Sequence, residues 1–434
     1  MPRNEANFGI RTLVTAPAPL AMSDLKIRVF PKLSEIPAAD WDACANPNGS
    51  ATKPKVSDEY ADISREDECG LRGYLYNPFV SHDFLSALEA SQSAVARTGW
   101  QAQHITAEDA DGQILGVAPC YLKSHSQGEY VFDHGWADAY ERAGGSYYPK
   151  LQVCVPFTPA TGPRLLARPG PQAQSVKEAL AAGLIALCNK RDASSVHATF
   201  MPEDEWRLLA GEGYLQRTDQ QFHFENEGYA TFEDFLAALS SRKRKLIRRE
   251  RRDALPEGVT IHCLTGSDLT EEVWDAFFTF YMETGSRKWG RPYLTRSFYS
   301  LIGQSMPDRI LLIMAKRAGR WIAGAINFIG SHTLYGRHWG TIEHHPFLHF
   351  EVCYYQAIEY AITHGLKWVE AGAQGEHKLA RGYGPVTTYS AHYIADPGLR
   401  RAIADYLKRE RAHVAAAGEE LAAYAPFRKD MMGE

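Results

Sequence analysis

The densest group of chemically capable side chains lies in the segment EAGAQGEHKLARGY (residues 370–383). Two glycines there precede Glu376, His377, Lys378 and Arg381. Glutamate and histidine accept a proton from an amine near neutral pH, whereas lysine and arginine bind phosphate or carboxylate. A glycine turn after a strand also lets backbone N–H groups approach an anion. We predict that Glu376 and His377 are catalytic and that Lys378 and Arg381 bind substrate; a solvated helical turn is the alternative.

A proline-rich loop in the first half of the chain, PFTPATGPR (residues 156–164), is a second candidate site. Its three prolines fix the backbone, while Thr158, Thr161 and Arg164 offer hydrogen-bond donors. A rigid loop of this kind binds an anionic or polar ligand with little ordering cost. We predict these three residues as substrate-binding, with a plain structural turn as the alternative.

An aromatic strand and the start of the next helix supply further candidates in the second half. The sequence LYGRHWG carries Tyr335, Arg337 and Trp339, which we expect to line a cleft. His349 and Glu351 stand where the following helix is predicted to begin, and a helix N-terminus favours an anionic group. We predict all five as substrate-binding residues.

The strongest charge feature is RKRKLIRRERR (residues 242–252), in which eight of eleven residues are basic. Helical periodicity begins at a capping-box-like sequence, Thr231 to Asp234. A basic helix can bind the phosphates of RNA, of a nucleotide cofactor or of an anionic lipid-linked precursor, and a solvated helix is the alternative. The predicted phosphate- or nucleic-acid-binding residues are Arg242, Lys243, Arg244, Lys245, Arg248 and Arg249.

Composition excludes several classes of protein. The chain has 434 residues, 45% hydrophobic residues and a net charge of −5, so it has enough apolar material for two cores and does not coat nucleic acid with its whole surface. The seven cysteines show no C-x-x-C spacing, and no histidine cluster has a zinc-binding spacing, so we predict no metal site. With no signal peptide or 18-residue apolar stretch, we expect a cytoplasmic protein, although contact with a membrane surface stays possible.

An internal repeat sets the predicted organisation. Two apolar strands (114–122 and 322–329) are each followed by Ser-His-Ser or Ser-His-Thr and an aromatic strand. Later in each half come a helix, a strand, a Gly-Tyr pair and a terminal strand, in the same order. We therefore predict an α/β (α+β) fold of two tandem domains, each a mixed sheet flanked by helices, a layout similar to the GNAT acyltransferase fold. The predicted divisions are a flexible tail (1–24), an N-terminal domain (25–226) with a loop insertion (45–73), and a C-terminal domain (227–434) that opens with the basic helix.

Together these segments resemble the FemAB-like family of peptidoglycan biosynthesis or recognition proteins, a branch of the GNAT superfamily. The resemblance extends from Asn77 to about Ile394. The motifs that carry it are NPFVSH (77–82), KSHSQGEYVFD (123–133), YPKL (148–151), PFTPATGPRL (156–165), the basic run (242–252), LYGRHWG (334–340), FLHFEVCYYQ (347–356) and GAQGEHKLARG (372–382).

The resemblance implies two tandem GNAT-like domains and N-acyl transfer from a thioester or ester, with acyl-CoA or aminoacyl-tRNA as co-substrate and no tightly bound cofactor. The acceptor would be an amine, such as that of a cell-wall or peptide precursor. The sequence departs from these relatives in two ways. No Q/R-x-x-G-x-G/A pyrophosphate loop precedes the helix that follows the LYGRHWG strand, and no long coiled-coil insertion is present that could serve as a tRNA-facing arm. The alternative is a non-catalytic module that recognises a peptidoglycan precursor or RNA.

The expected mechanism joins these residues in one cleft. Glu376 or His377 takes the proton of the acceptor amine, and backbone N–H groups at splayed central strands hold the oxyanion. The segment of the first half that corresponds to 376–381 is acidic and lacks histidine. We therefore expect a cleft built mainly on the second half, closed by the loop 156–164, with His377 facing a pocket shared by both halves.

Overall fold

The computed structural model describes residues 25–49, 75–289, 292–372, 376–422 and 426–427, without the side chains of residues 286–289, 376 and 422. The expected tail (1–24) and residues 50–73 of the expected insertion lie outside this part of the chain. Within it, no helix combines the length and the apolar character needed to cross a bilayer.

The described chain alternates strands and helices in both halves. The strands are β1 (Lys26–Phe30), β2 (Trp100–Ala102), β3 (His104–Glu108), β4 (Ile114–Ala118), β5 (Cys120–Lys123), β6 (Lys150–Val153), β7 (Leu166–Ala167), β8 (Ser195–Met201), β9 (Leu215–Glu225), β10 (Val259–Leu264), β11 (Ile310–Arg317), β12 (Arg320–Ile329), β13 (Thr333–Thr341), β14 (Trp368–Glu370) and β15 (Tyr383–Ile394). The helices are α1 (Ala38–Ala45), α2 (His82–Ala90), α3 (His134–Arg142), α4 (Ala173–Lys190), α5 (Glu203–Gly211), α6 (Phe232–Ala238), α7 (Ser241–Ala254), α8 (Glu271–Trp289), α9 (Arg296–Ser305), α10 (Leu348–Phe350), α11 (Gln356–Thr363) and α12 (Pro397–Ala422). A π-helical turn (Glu351–Tyr355) joins α10 to α11.

The repeat predicted from the sequence is present as a repeated strand arrangement. In the first half β6 and β8 are parallel, with α4 in the connection between them; in the second half β13 and β14 are parallel, with α10 and α11 between them. The remaining pairings in each half are antiparallel, which gives mixed sheets flanked by helices. The α/β class and the tandem GNAT-like arrangement are therefore confirmed.

The two halves exchange their last strands. Strand β9 ends the first half but pairs with β14 of the second half, whereas β15 ends the second half but pairs with β8 of the first. Strands β9 and β15 also pair with each other, so one eleven-stranded sheet runs through both halves in the order β10-β11-β12-β13-β14-β9-β15-β8-β6-β5-β2. A four-stranded sheet, β1-β3-β4-β7, completes the first half. The predicted boundary at residues 226 and 227 falls in the connection between β9 and α6.

Local sequence signals explain several elements. The Ser81 hydroxyl accepts a hydrogen bond from the backbone N–H of Phe84 and caps α2. Tyr354, Ile358 and Ile362 recur at four-residue spacing and are all buried, so they form the core face of the helical segment after β13.

The basic helix is separate from the helix that precedes it. Thr231 and Asp234 form the predicted capping box, but the helix that they start, α6, ends at Ala238. Leu239 is extended and pairs with Phe427, so the chain leaves the helical conformation before α7 begins. The sequence predicted continuous periodicity here, because Leu239 is apolar and its strand-like partner lies far along the chain.

Candidate functional site

A cavity of about 460 Å³ opens between the two halves. Its floor is the middle of the long sheet, where β13, β14, β9 and β15 lie side by side. Its walls include the end of the proline-rich loop, β7, α4 and the first turn of α5. The charged residues in the described lining are mostly acidic: Glu203, Asp204, Glu205 and Glu370, together with Lys177.

Glu370 lies at the centre of the cavity floor. In β14 the preceding residue, Val369, packs into the core beneath α11, so strand alternation directs Glu370 to the opposite face. The side chain is almost fully buried, and the backbone N–H of Thr161 hydrogen-bonds its carboxyl group. Burial raises the pKa of Glu370 to about 8, although the Thr161 bond and the charges of Arg337 and Arg164 oppose the rise. The carboxyl group therefore exchanges a proton close to neutral pH.

His223 is the cross-strand neighbour of Glu370. The two residues are paired in the β9–β14 ladder and both line the cavity. The Nε2 atom of His223 lies 3.1 Å from Oε1 of Gln221, whose amide donates to the carbonyl of Pro159 at 2.9 Å. Burial, together with the charge of Lys378, lowers the pKa of His223 to about 4, so its imidazole is neutral at pH 7. His223 thus adds a neutral polar group beside the carboxyl without adding positive charge.

Strands β13 and β14 separate immediately beyond Glu370. Their ladder comprises Thr333–Tyr335 paired with Trp368–Glu370, and β13 then continues to Thr341 paired with β12. The β12–β13 register shifts between Ile326 and Asn327, which leaves Arg337 without a ladder partner. Among the described residues, no strand pairs with β13 on its β14 side beyond Tyr335, so the sheet opens beside the carboxyl group.

Arg337 lies at this opening. Its guanidinium donates to the carbonyl of Phe157 at 2.6 Å, so it links the bulge of β13 to the proline-rich loop. Arg337 also acts electrostatically on both Glu370 and Lys378, which places three titratable groups around the strand opening. Burial lowers the pKa of Arg337, yet a guanidinium keeps its charge.

A groove lies on the second half beside the opening. It consists of two adjoining cavities of about 80 and 210 Å³ that share Trp339 and His349. Arg337, Gly336 and Ala371 line its inner end at the strand opening. The predicted residues Arg337, Trp339 and His349 therefore line the same groove. Tyr335 instead lines the 460 Å³ cavity between the halves. The outer end is lined by Thr341, Glu343, His344, His345, Phe347, Leu348 and Phe350.

Lys378 and Arg381 of the predicted 376–381 turn have separate partners within the fold. Lys378 is buried, donates to the carbonyl of Gly372 at 2.7 Å, and has a pKa lowered to about 8 by burial. Arg381 is paired with both carboxylate oxygens of Glu250, at 2.8 and 2.9 Å. The side chain of Glu376 is outside the described residues.

His377 corrects the expected geometry. The residue is exposed, and its Nε2 atom lies 2.9 Å from the hydroxyl of Tyr354. It is not among the residues that line the cavity between the halves, whereas Glu370 is. The expectation that His377 faces the shared pocket was wrong because residues 376–381 form a 3₁₀ turn outside β14. The catalytic assignments of Glu376 and His377 stay predictions.

Two other predicted residues have mainly structural contacts. Arg164 is almost fully buried and donates to the carbonyls of Thr199, Gly162, Pro163 and Ala160, so it holds the loop in place instead of presenting its guanidinium to the cavity. Glu351 is fully buried and accepts hydrogen bonds from Arg251 and Gln356.

The two predicted threonines of the loop differ in exposure to the cavity. Thr158 is buried and donates to the carbonyl of Pro156 at 3.0 Å. Thr161 lines the large cavity and supplies the backbone N–H that reaches Glu370.

On the basic helix α7, Arg242, Lys245, Arg248 and Arg249 are exposed, and Lys243 and Arg244 are half-buried. Among the described residues, no group of histidine, cysteine, aspartate or glutamate side chains is arranged to hold a metal ion.

The sequence contained a signal for Glu370 that our predictions did not use. The segment singled out above begins at Glu370, in a strand that also contains Trp368 and Val369. Side chains alternate along a strand, so Glu370 points to the face opposite Val369. A carboxylate at that position, just before Ala-Gly, indicates that this face of the strand lines a polar cavity. The same argument applies to His223 within QFHFE.

These features define a tandem GNAT-like α/β protein with a cavity between its halves. The chain belongs to the FemAB-like family, described as peptidoglycan biosynthesis/recognition, whose model matches residues 32–429. A comparison with curated proteins found no significant match.

Three solved structures have a similar chain path. FemX is 13% identical, with a TM-score of 0.48, over 75% of this chain and 94% of that chain. A tandem GNAT protein from the clavulanic acid biosynthesis pathway is 12% identical, with a TM-score of 0.43, over 86% and 99%. L-PGS from Bacillus licheniformis is 10% identical, with a TM-score of 0.44, over 82% and 98%.

Proposed function

We propose that this protein is an N-acyltransferase that moves an acyl or aminoacyl group from a thioester or ester donor onto an amine. The observation that carries the proposal is the buried carboxyl of Glu370, at the floor of the cavity between the halves and beside the opening between β13 and β14. Membership of a family described as peptidoglycan biosynthesis/recognition makes a cell-wall precursor or peptide the proposed acceptor.

In this proposal the acceptor amine enters the cavity between the two halves. Glu203 and Asp204 are exposed at its rim, and Asp204 has no ion-pair partner among the described residues. Carboxylates at a cleft entrance raise the local concentration of a cation, and an amine in water is mostly its ammonium form. The acidic lining therefore suits an amine and disfavours a phosphorylated donor, which is proposed to bind on the other side of the sheet.

Glu370 acts as the general base in this proposal. The ammonium group must lose a proton before its nitrogen lone pair can attack, and a carboxylate with a pKa of about 8 accepts that proton near neutral pH. The amine then attacks the donor carbonyl carbon, the bond to the thiol or hydroxyl leaving group breaks, and the leaving group takes up a proton. This assignment replaces Glu376 and His377 as the proposed base.

The donor occupies the groove on the second half. The free edge of β13 beyond Tyr335 offers backbone N–H groups to a donor amide or to the oxyanion of the tetrahedral intermediate. Arg337 and Lys378 add positive charge at the same opening. Trp339 and the imidazole of His349 form the walls along which the rest of the donor lies.

A transfer assay tests the proposal. A lysine-containing peptide is incubated with the protein and with acyl-CoA thioesters or charged tRNA, and mass spectrometry detects the acylated peptide. The same peptide with a dimethylated lysine is the blank, because its amine cannot be acylated to an amide. We expect product with the wild type and with E141Q, a change at an exposed glutamate of α3, and at least about a hundredfold less with E370Q.

The alternative, a recognition module, gives a different result. It predicts stoichiometric binding of the peptide and no acylated product from any donor. That outcome, or equal turnover by E370Q and E141Q, would overturn the proposal.

A further inference from the structure

Helix α7 presents a row of cations on one face while its other face is anchored in the fold. Ile247 and Ala254 are fully buried, and Glu250 bonds Arg381 and the hydroxyl of Tyr355. Arg251 is paired with Glu351 and Glu359 of the helical segment that follows β13. These contacts hold the helix in a fixed orientation, so its exposed charges form a defined surface.

We name the exposed basic residues of α7 the cationic face: Arg242, Lys245, Arg248, Arg249 and Arg252. Spacings of three, four and seven residues place them along one side of a helix about 20 Å long.

The charges of this face are only partly compensated within the molecule: Arg248 pairs with Glu233, and Arg249 and Arg252 both pair with Asp253. Arg242, Lys243, Arg244 and Lys245 form no ion pair with any described residue, although the chain as a whole has a net charge of −5. Arg242, Lys243 and Arg244 also lie in the first turn, where the helix dipole disfavours positive charge. An anionic partner would offset both the lack of ion pairs and the unfavourable interaction of these cations with the helix dipole.

We propose that the cationic face docks the protein on an anionic membrane surface. A row of lysine and arginine on one face of a helix matches a layer of acidic headgroups, and clusters of four to eight such residues suffice for binding. Helix α7 contains no aromatic residue on which bases of a single-stranded nucleic acid could stack.

The position of α7 gives the docking a consequence. The helix packs against α10 and the π-helical turn, and α10 borders the outer end of the groove described above. Docking through the cationic face therefore keeps α10, which forms one wall of this groove, next to the membrane-bound helix.

Vesicle sedimentation tests the proposal on the full chain. The protein is mixed with phosphatidylcholine vesicles that contain about one third phosphatidylglycerol, and with pure phosphatidylcholine vesicles, at about 0.1 M and about 0.5 M salt. We expect binding to the anionic vesicles alone, and loss of that binding at high salt.

The variant R242Q/K245Q/R249Q/R252Q should bind anionic vesicles at least about a hundredfold more weakly, at roughly fivefold per charge. The control K190Q/R191Q/K408Q/R409Q removes the same charge from exposed positions on and next to α4 and on α12 and should bind like the wild type. Circular dichroism checks that both variants are folded.

Three outcomes would overturn the proposal: equal binding to neutral vesicles, equal weakening by the control variant, or no vesicle binding. Tight, α7-dependent binding of poly(U) without vesicle binding would assign the cationic face to nucleic acid. Self-association that the α7 variant abolishes, seen by sedimentation velocity without vesicles, would assign it to a second copy of the chain.

Discussion

Replacement of Glu370 by glutamine should change the pH dependence of stability by an amount that follows from the buried carboxyl. In the unfolded chain this group ionises near pH 4.5, whereas burial raises its pKa to about 8 in the fold. A raised pKa in the folded state means that stability falls as the pH rises from about 4.5 to about 8 and is then constant. Each pH unit in this window costs about 1.4 kcal/mol.

The wild type therefore loses about 3 kcal/mol of unfolding free energy at pH 7 and about 4 kcal/mol at pH 8 from this one group. Glutamine has the same shape, keeps an oxygen for the Thr161 N–H and carries no charge, so E370Q should gain these amounts relative to the wild type. Below about pH 4.5 the two proteins should differ little.

Equilibrium unfolding in urea between about pH 5 and about pH 8 measures the difference. E141Q, at an exposed position, should give a difference that is nearly independent of pH. A stability difference between E370Q and the wild type that is flat across this range, or that grows toward acid, would refute the account of Glu370 as a buried, proton-exchanging carboxyl.

Three further predictions concern single residues. Arg164→Met should lower the unfolding free energy in urea by about 3 kcal/mol or more, because it leaves buried carbonyls without a donor; an unchanged midpoint would show that the loop does not need this clamp. Lys150→Met removes the cation that bonds Glu129 at 2.6 Å and Asp133 at 2.5 Å, so we expect a loss of about 3–5 kcal/mol at neutral pH that shrinks as the carboxylates protonate in acid; a loss independent of pH would contradict this. His377→Ala should reduce acyl transfer less than about tenfold, since its exposed ring bonds a tyrosine outside the shared cavity; a loss as large as that of the glutamine variant above would restore the histidine as the base.

The element order of the fold was predictable because its signals are local. Strand patterns, turn residues and caps such as Ser81 are read within a few residues, and the repeat appears when the two halves are compared. The exchange of β9 and β15 was not predictable, because the alternation in a strand does not show which distant strand it pairs with. The break between α6 and α7 was not predictable for the same reason, because Leu239 pairs with Phe427, which lies far along the chain.

The sequence indicated two segments that meet at the candidate site, but it did not indicate correctly which of their residues line the cavity. The segment 370–383 and the loop 156–164 do meet, at the contact between Glu370 and Thr161. The dense group of charged side chains beyond the glycines stood out in the sequence more strongly than the single carboxylate at the end of β14, so Glu370 was not assigned. Arg381 was assigned to substrate because its partner, Glu250, comes from a distant helix.

The pH profile of acyl transfer tests the central claim most directly. With the rate expressed per concentration of the ammonium form of the acceptor, kcat/KM of the wild type should rise about tenfold per pH unit and level off near pH 8, where Glu370 becomes the carboxylate. E370Q should be at least about a hundredfold slower, without this inflection. An E370Q variant that keeps the wild-type rate and the wild-type inflection would contradict the assignment of Glu370 as the base.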